Sequence, residues 1–238
     1  MARMGAGMRL AGYAVHLFTA LGSVCALLAT LAVLDGRFEA AFAWLFVALV
    51  IDAVDGTMAR AVRVDVNVPR FSGERLDLVI DFVTYVFVPV IALIRGGFLV
   101  GTAGMAAAAL VLLSSLYHFA DRSSKADDHC FVGFPAVWNI VAFCLFAWGA
   151  AAWLALAICV VLSLLAFVPM HWIHPMRVKR CFRPSVGAAG AGIAAGLWVL
   201  GTGFPGGTVA QIVLGVASAY FVVMAVIWSW LGRGDGLA

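Results

Sequence analysis

Four aspartates lie within or beside long apolar stretches of the chain. Asp52 and Asp55 are three residues apart, and Asp77 and Asp81 are four apart. On an α-helix, both spacings place the two carboxylates of a pair on one face. Carboxylates held close together raise one another's pKa unless a cation neutralises them, and such hard oxygen ligands suit Mg²⁺ or Mn²⁺ better than zinc. The pattern predicts a divalent-metal site; the alternative is neutralisation in salt bridges by the nearby arginines, Arg60, Arg63 and Arg75.

The chain that carries these aspartates is too apolar for a soluble domain. It is 65% hydrophobic and 11% charged, whereas soluble domains are about half apolar and a quarter charged. We count eight apolar segments of the roughly 20 residues that cross a hydrocarbon core as a helix. They lie at about 12–34, 39–60, 76–95, 98–120, 132–150, 152–172, 184–202 and 207–231. The sequence therefore predicts an all-α, polytopic membrane helix bundle that forms a single domain over residues 1–238.

Lysine and arginine are divided unevenly between the two sets of loops. Cytoplasmic loops carry an excess of basic residues, so we expect both termini in the cytoplasm. That orientation places 13 of the 15 basic residues on the cytoplasmic side, against Arg37 and Arg95 outside. The second helix then ends, and the third begins, near the cytoplasmic face. Both aspartate pairs would lie in the cytoplasmic third of the bilayer, where buried charges usually mark function.

Small residues occur beside the aspartates and again in the seventh apolar segment. Gly56 and Ala59 lie on or beside the face of the first aspartate pair, and Gly73 immediately precedes the third helix. They leave room for a ligand, or for simple helix packing. Gly192 and Gly196 form a small-xxx-small pair, which allows close helix contact. Their partner helix belongs either to the same chain or to a second copy in a homodimer.

The run from Asp52 to Asp81 resembles the signature of the CDP-alcohol phosphatidyltransferase family. Its defined positions occur in order as Asp52, Asp55, Gly56, Ala59, Arg60, Gly73, Asp77 and Asp81. The spacer of twelve residues between Arg60 and Gly73 is longer than the usual family pattern and is similar to the bacterial branch that uses choline. Further similarity to this branch lies in residues 13–16, 81–89 and 119–139. The resemblance covers most of the first six predicted helices.

This resemblance implies an enzyme that works with two Mn²⁺ or Mg²⁺ ions. The ions would hold the diphosphate of CDP-diacylglycerol, and CMP would leave as the phosphatidyl group passes to an alcohol. By similarity, Asp52, Asp55 and Asp77 would be metal ligands, and Asp81 would both ligate a metal and take the alcohol's proton. The cytidine-diphosphate site would be lined by Gly56, Ala59, Arg60 and Gly73.

The resemblance also implies partners and a location. The partners would be CDP-diacylglycerol, choline and membrane lipids, with no nucleic acid. The enzyme would lie in the bacterial inner membrane with its site facing the cytoplasm. The catalytic core would cover about residues 12–172, with additional helices at about 184–231.

The acceptor would bind through aromatic faces if it is choline, because a quaternary ammonium has no N–H to donate. Tyr85 follows Asp81 by one helical turn on the same face, while Tyr117 and Trp138 flank the next cytoplasmic loop. For Tyr117 and Trp138 the alternative is anchoring at the membrane interface. Glycerol phosphate, serine or inositol phosphate would be other acceptors. A divalent-cation transporter would need similar carboxylates, although transporter sites tend to lie at the bilayer midplane within repeated halves.

Thiol labelling in intact cells tests the predicted orientation. In a variant whose five native cysteines are replaced by serine, a single cysteine between Arg63 and Arg70 should resist a membrane-impermeant reagent. A single cysteine beside Gly96 should react, because the basic asymmetry places it outside. Labelling of the first position but not of the second would reverse the topology.

Overall fold

The structure, a computed structural model, describes residues 2–121, 123, 130–173 and 181–231 and is almost entirely helical. Its helices are α1 Ala2–Leu34, α2 Phe38–Val62, α3 Val64–Asn67, α4 Gly73–Asp81, α5 Val88–Arg95, α6 Gly101–Ala120, α7 Trp138–Trp148, α8 Ala152–Leu165, α9 Phe182–Thr202 and α10 Thr208–Leu231. A π-helical segment, Phe82–Phe87, joins α4 to α5, and β1 Phe131–Val132 pairs antiparallel with β2 His171–Trp172. The predicted all-α membrane bundle is confirmed.

Five helical stretches of the described chain are long and apolar enough to cross a membrane. They are Gly7–Leu34, Gly73–Arg95, Gly101–Ala120, Phe182–Thr202 and Thr208–Trp230. Each of the eight predicted segments contains a helix, but the fifth and sixth helices are shorter than predicted. α7 has 11 residues and α8 has 14. At 1.5 Å per residue they extend about 16 and 21 Å, against roughly 30 Å of hydrocarbon.

Backbone that cannot be helical shortens these two segments. Gly133 and Ala136 have positive φ angles of 81° and 54°, and Pro135 lies between them, so α7 begins only at Trp138. Pro169 cannot continue α8, because in a helix its ring would clash with the carbonyl of the residue four positions earlier, and α8 ends at that residue, Leu165. Extended residues beyond the two helices pair as β1 and β2, which satisfies part of their backbone hydrogen bonding.

Connections that were predicted on one side of the membrane lie at the same end of the bundle. The Arg95 guanidinium, at the end of α5, donates a hydrogen bond to the carbonyl of Leu34, at the end of α1, at 3.2 Å. The loops that follow these two helices therefore lie close together. The backbone N–H of Phe204 donates to the Glu39 carboxylate at 3.0 Å, which adds the connection between α9 and α10. Helices that alternate in direction along the chain produce this arrangement.

Aromatic side chains pack α2 against α7 at that end. The ring centroid of Phe42 lies 5.4 Å from that of Phe143, 5.2 Å from that of Phe146 and 5.6 Å from that of Phe204, all edge to face. Such pairs stabilise a core beyond the area that they bury. They anchor the half of α2 that is remote from its aspartates.

The glycines of α9 have partners within the chain. A Cβ at Gly192 would lie 3.5 Å from the Ala217 side chain of α10, and one at Gly196 would lie 3.4 Å from the Phe143 ring of α7. The indole N–H of Trp148 donates to the Gln211 carbonyl at 3.1 Å, which ties α7 to α10 as well. The small-residue pair is therefore used for packing inside one chain.

α1 lies unusually close to the segment that contains Asp77. A Cβ at Gly12 would lie 2.5 Å from Cγ2 of Val68, and one at Gly22 would lie 2.6 Å from Cγ2 of Ile80. Both distances are far inside van der Waals contact, so only glycine permits this separation. α1 thereby forms one wall of the region where the aspartates meet.

Replacing Gly22 by alanine should lower the melting temperature of the purified protein in detergent. The added methyl would overlap the β-branched Ile80, and overpacking of this kind costs about 1–3 kcal/mol. Gly187→Ala is the matched control, because nothing lies within 4 Å of its added Cβ and alanine is the better helix former. A Gly22→Ala protein as stable as Gly187→Ala would contradict the close contact between α1 and α4.

Candidate active site

Three of the four aspartates meet in the structure. One carboxylate oxygen each from Asp52 and Asp55 of α2 and from Asp77 of α4 lie within 4.8 Å of one another. Asp55 is only 6% exposed, and the other two side chains are half-buried. Hard oxygen donors at this separation could hold a divalent cation. We call Asp52, Asp55 and Asp77 the carboxylate cluster.

The hairpin between α2 and α4 is closed by local contacts. α2 ends at Val62, and its C-cap residue Arg63 has a left-handed φ of 50°. The one-turn helix α3 follows, and the Asn67 amide donates back to the Val62 carbonyl at 2.7 Å. The Ser72 hydroxyl then caps α4 by accepting from the Arg75 backbone N–H at 3.2 Å. These bonds accommodate the long spacer while keeping the end of α2 beside the start of α4.

Asp81 lies beside the carboxylate cluster. It is the last residue of α4, one turn beyond Asp77, and is half-buried. Its charge acts on the hydroxyl of Tyr85, but its oxygens are not part of the group that converges within 4.8 Å. This place suits a carboxylate that acts on a bound substrate as well as on a cation.

α1 contributes two polar side chains that the sequence analysis did not assign to the site. Thr19 is buried and lies within side-chain hydrogen-bonding reach of Asp55. His16 lies against Gly73, where an added Cβ would be 3.3 Å from its Cε1. The buried Nε2 of His16 finds no hydrogen-bond partner among the described residues. The signal in the sequence is their three-residue spacing, which places these two polar side chains of a largely apolar helix on one face.

Of the three residues predicted to bind the acceptor alcohol, Tyr85 is the one that lies against the carboxylate cluster. Its hydroxyl donates a hydrogen bond to Oδ2 of Asp52 at 2.6 Å. The residue belongs to the π-helical segment and is half-buried. Tyr85 was predicted to lie one turn from Asp81, and it also makes a direct contact with Asp52 of α2.

Tyr117 and Trp138 lie in other surroundings. Trp138 is completely buried, and its indole N–H donates to the Ser115 hydroxyl at 2.8 Å. Tyr117 is 69% exposed and packs edge-on against Phe167. The first arrangement is typical of a core tryptophan. The second suits the interfacial anchoring that was the alternative for this residue.

The residues expected at the cytidine-diphosphate site lie on the hairpin side of the cluster. Gly56 and Ala59 are half-buried on α2, while Arg60 and Gly73 are exposed. The Arg60 guanidinium donates to the Thr57 hydroxyl at 3.1 Å. Arg37 forms an ion pair with Asp35 beyond the opposite end of α2. Arg60 is therefore oriented along its own helix in a position that a phosphate could reach.

The fold and the cluster define the class of protein. It is a multi-pass membrane protein whose acidic side chains, at one end of its helix bundle, could hold a divalent cation.

Sequence comparisons extend this class to a family. A phosphatidylcholine synthase of Rhizobium johnstonii is 38% identical over 224 residues, which cover 93% of each chain. One of Bradyrhizobium diazoefficiens is 47% identical over 175 residues, 73% of this chain and 65% of that protein. One of Agrobacterium fabrum is 42% identical over 168 residues, 71% of this chain and 70% of that protein. No family model matches. The chain belongs to the phosphatidylcholine synthase family and is an enzyme, which confirms the resemblance to the choline-using bacterial branch.

Proposed function

We propose that this enzyme transfers a phosphatidyl group from CDP-diacylglycerol to choline and releases CMP. The observation that carries the proposal is the convergence of the Asp52, Asp55 and Asp77 carboxylates within 4.8 Å, in a member of the phosphatidylcholine synthase family. All the residues that we assign to the reaction lie within residues 12–172. α9 and α10 would support this core.

The cluster and Asp81 would bind two divalent ions, Mn²⁺ or Mg²⁺. When bound, such ions supply positive charge to the diphosphate and to the attacking and leaving oxygens of an in-line displacement. Asp55 is held in place by burial and by Thr19. Asp52 is oriented by Tyr85. The donor set is entirely oxygen, which fits these ions.

The nucleotide would lie over the hairpin between α2 and α4. Gly56, Ala59 and Gly73 leave space beside the carboxylates, and the exposed Arg60 guanidinium can turn to a phosphate oxygen. The buried Nε2 of His16, next to Gly73, offers a further polar contact. The two acyl chains would remain in the lipid.

In the transfer itself, the choline oxygen forms a bond to the phosphorus of the phosphatidyl group. The bond from this phosphorus to the oxygen that bridges to CMP breaks, and that oxygen leaves with the electron pair. Asp81 takes the choline proton. A carboxylate is a weak base for an alcohol, so proton transfer must accompany P–O bond formation.

The ring of Tyr85 is our candidate for contact with the choline cation. It lies beside Asp81, whose negative charge also favours a quaternary ammonium. The surroundings of Tyr117 and Trp138 give less support to a pocket there. A phosphorylated acceptor would instead require a dedicated basic pocket.

We place the site at the cytoplasmic face of the bacterial inner membrane. The support is the excess of Lys and Arg in the loops on that side and the cytosolic origin of a nucleotide head group.

Membranes that contain the enzyme should make labelled phosphatidylcholine from CDP-diacylglycerol and radiolabelled choline. Activity should require Mn²⁺ or Mg²⁺, and exhaustive chelation should remove it, because without bound cations the carboxylates repel the negatively charged diphosphate. Serine, glycerol phosphate and inositol phosphate, supplied in parallel, should give no product.

Two variants control this experiment. Asp77→Ala should insert into the membrane normally but lose activity, whereas Asp35→Ala, which removes an exposed carboxylate at the opposite end of α2, should keep it. Product from another alcohol and never from choline would overturn the acceptor. Full activity after chelation, or in Asp77→Ala, would overturn the metal-dependent mechanism.

A further inference from the structure

The hydrogen bond between Tyr85 and Asp52 joins two distant parts of the chain. Its donor and acceptor are 33 residues apart and belong to different helices, and their oxygens are 2.6 Å apart. Hydrogen bonds from a hydroxyl to an ionised carboxylate have this length and are roughly twice as strong as neutral ones. The contact therefore fixes the Asp52 side chain more firmly than helix packing alone would.

The geometry of this bond leaves part of the carboxylate open for another partner. Tyr85 donates to Oδ2, so Oδ1 of Asp52 keeps its lone pairs. Groups that hold a metal ligand by its far side orient the ligand and tune its affinity for the metal. A hydroxyl suits this task next to several carboxylates, because it donates a hydrogen bond without adding another negative charge.

The π-helical segment places Tyr85 where this bond can form. It begins directly after Asp81, and its wider turn changes the direction in which the following side chains leave the helix. Thr84 and Val86, on either side of Tyr85, are 3% and 0% exposed. The Thr84 hydroxyl donates to the Ile80 carbonyl at 3.0 Å, which stabilises the irregular turn. Packing on both neighbours leaves Tyr85 little freedom to turn away from Asp52.

We propose that Tyr85 is a positioning residue whose hydroxyl holds Asp52 in its metal-binding orientation and so sets the affinity of the site for divalent ions. This inference rests on the proposed metal site. It gives the hydroxyl of Tyr85 a role separate from that of its ring. A residue that only bound choline would affect the choline KM and leave the affinity for divalent ions unchanged.

Tyr85→Phe separates the two roles, because it removes the hydroxyl and keeps the ring. The purified enzyme in lipid nanodiscs is titrated with Mn²⁺ without substrate, and free Mn²⁺ is measured by electron paramagnetic resonance. The dissociation constant should rise about ten- to a hundredfold, as for other groups that orient metal ligands. Tyr117→Phe is the matched control: it removes the hydroxyl of an exposed tyrosine on α6 and should bind Mn²⁺ like the wild type.

Turnover gives a second readout. Tyr85→Phe should need more Mn²⁺ for half-maximal rate but should keep the choline KM at saturating Mn²⁺. In an Asp52→Ala background the same substitution should have no further effect on Mn²⁺ binding, because the side chain that accepts the hydrogen bond is gone. This cycle also separates loss of the bond from general damage to the fold, which would weaken binding in both backgrounds.

Wild-type affinity for Mn²⁺ in Tyr85→Phe would overturn the positioning role and leave the proposed metal site intact. An equal loss in both backgrounds would also overturn it. A wild-type enzyme that binds no Mn²⁺ would instead remove the metal site, and the inference with it.

Discussion

Mutual repulsion between the carboxylates is the constraint on which the rest of the site depends. Two like unit charges 4 Å apart repel by about 4 kcal/mol at an effective dielectric constant of 20, and Asp52, Asp55 and Asp77 converge within 4.8 Å. The hydroxyls of Thr19 and Tyr85 offset part of this cost. Divalent cations would offset more, and under the proposed function they would also attract the diphosphate of the substrate.

The scaffold is built to keep these charges together. Glycines let α1 approach α4, the capped hairpin returns the chain from α2 to α4, and the π-helical segment directs Tyr85 back to α2. The cluster lies near one end of the bundle, a position in which the proposed substrate would keep its nucleotide in water and its acyl chains in lipid. This position favours an enzyme over a transporter, whose site tends to lie midway along broken helices.

Much of this arrangement could be predicted from the residues. The apolar composition predicted the membrane helices, and the spacing of the aspartates predicted which carboxylates share a face. The short α7 and α8 were missed because hydropathy does not register the positive φ at Ala136 or the effect of Pro169. The contacts of His16 and Thr19 depend on how closely two helices approach, which spacing in one helix does not reveal. Trp138 illustrates the converse, since an aromatic residue near a loop proved to be buried core.

The central claim is that the four aspartates bind a pair of divalent ions. It is tested most directly by anomalous diffraction at the manganese edge from crystals grown with saturating Mn²⁺ and a non-reactive CDP-lipid analogue. The account predicts two peaks about 3.5–4 Å apart, in contact with Asp52, Asp55 and Asp77 and with Asp81 at one of them. Density for the analogue at the hairpin with no manganese among these carboxylates, or manganese bound elsewhere, would contradict it.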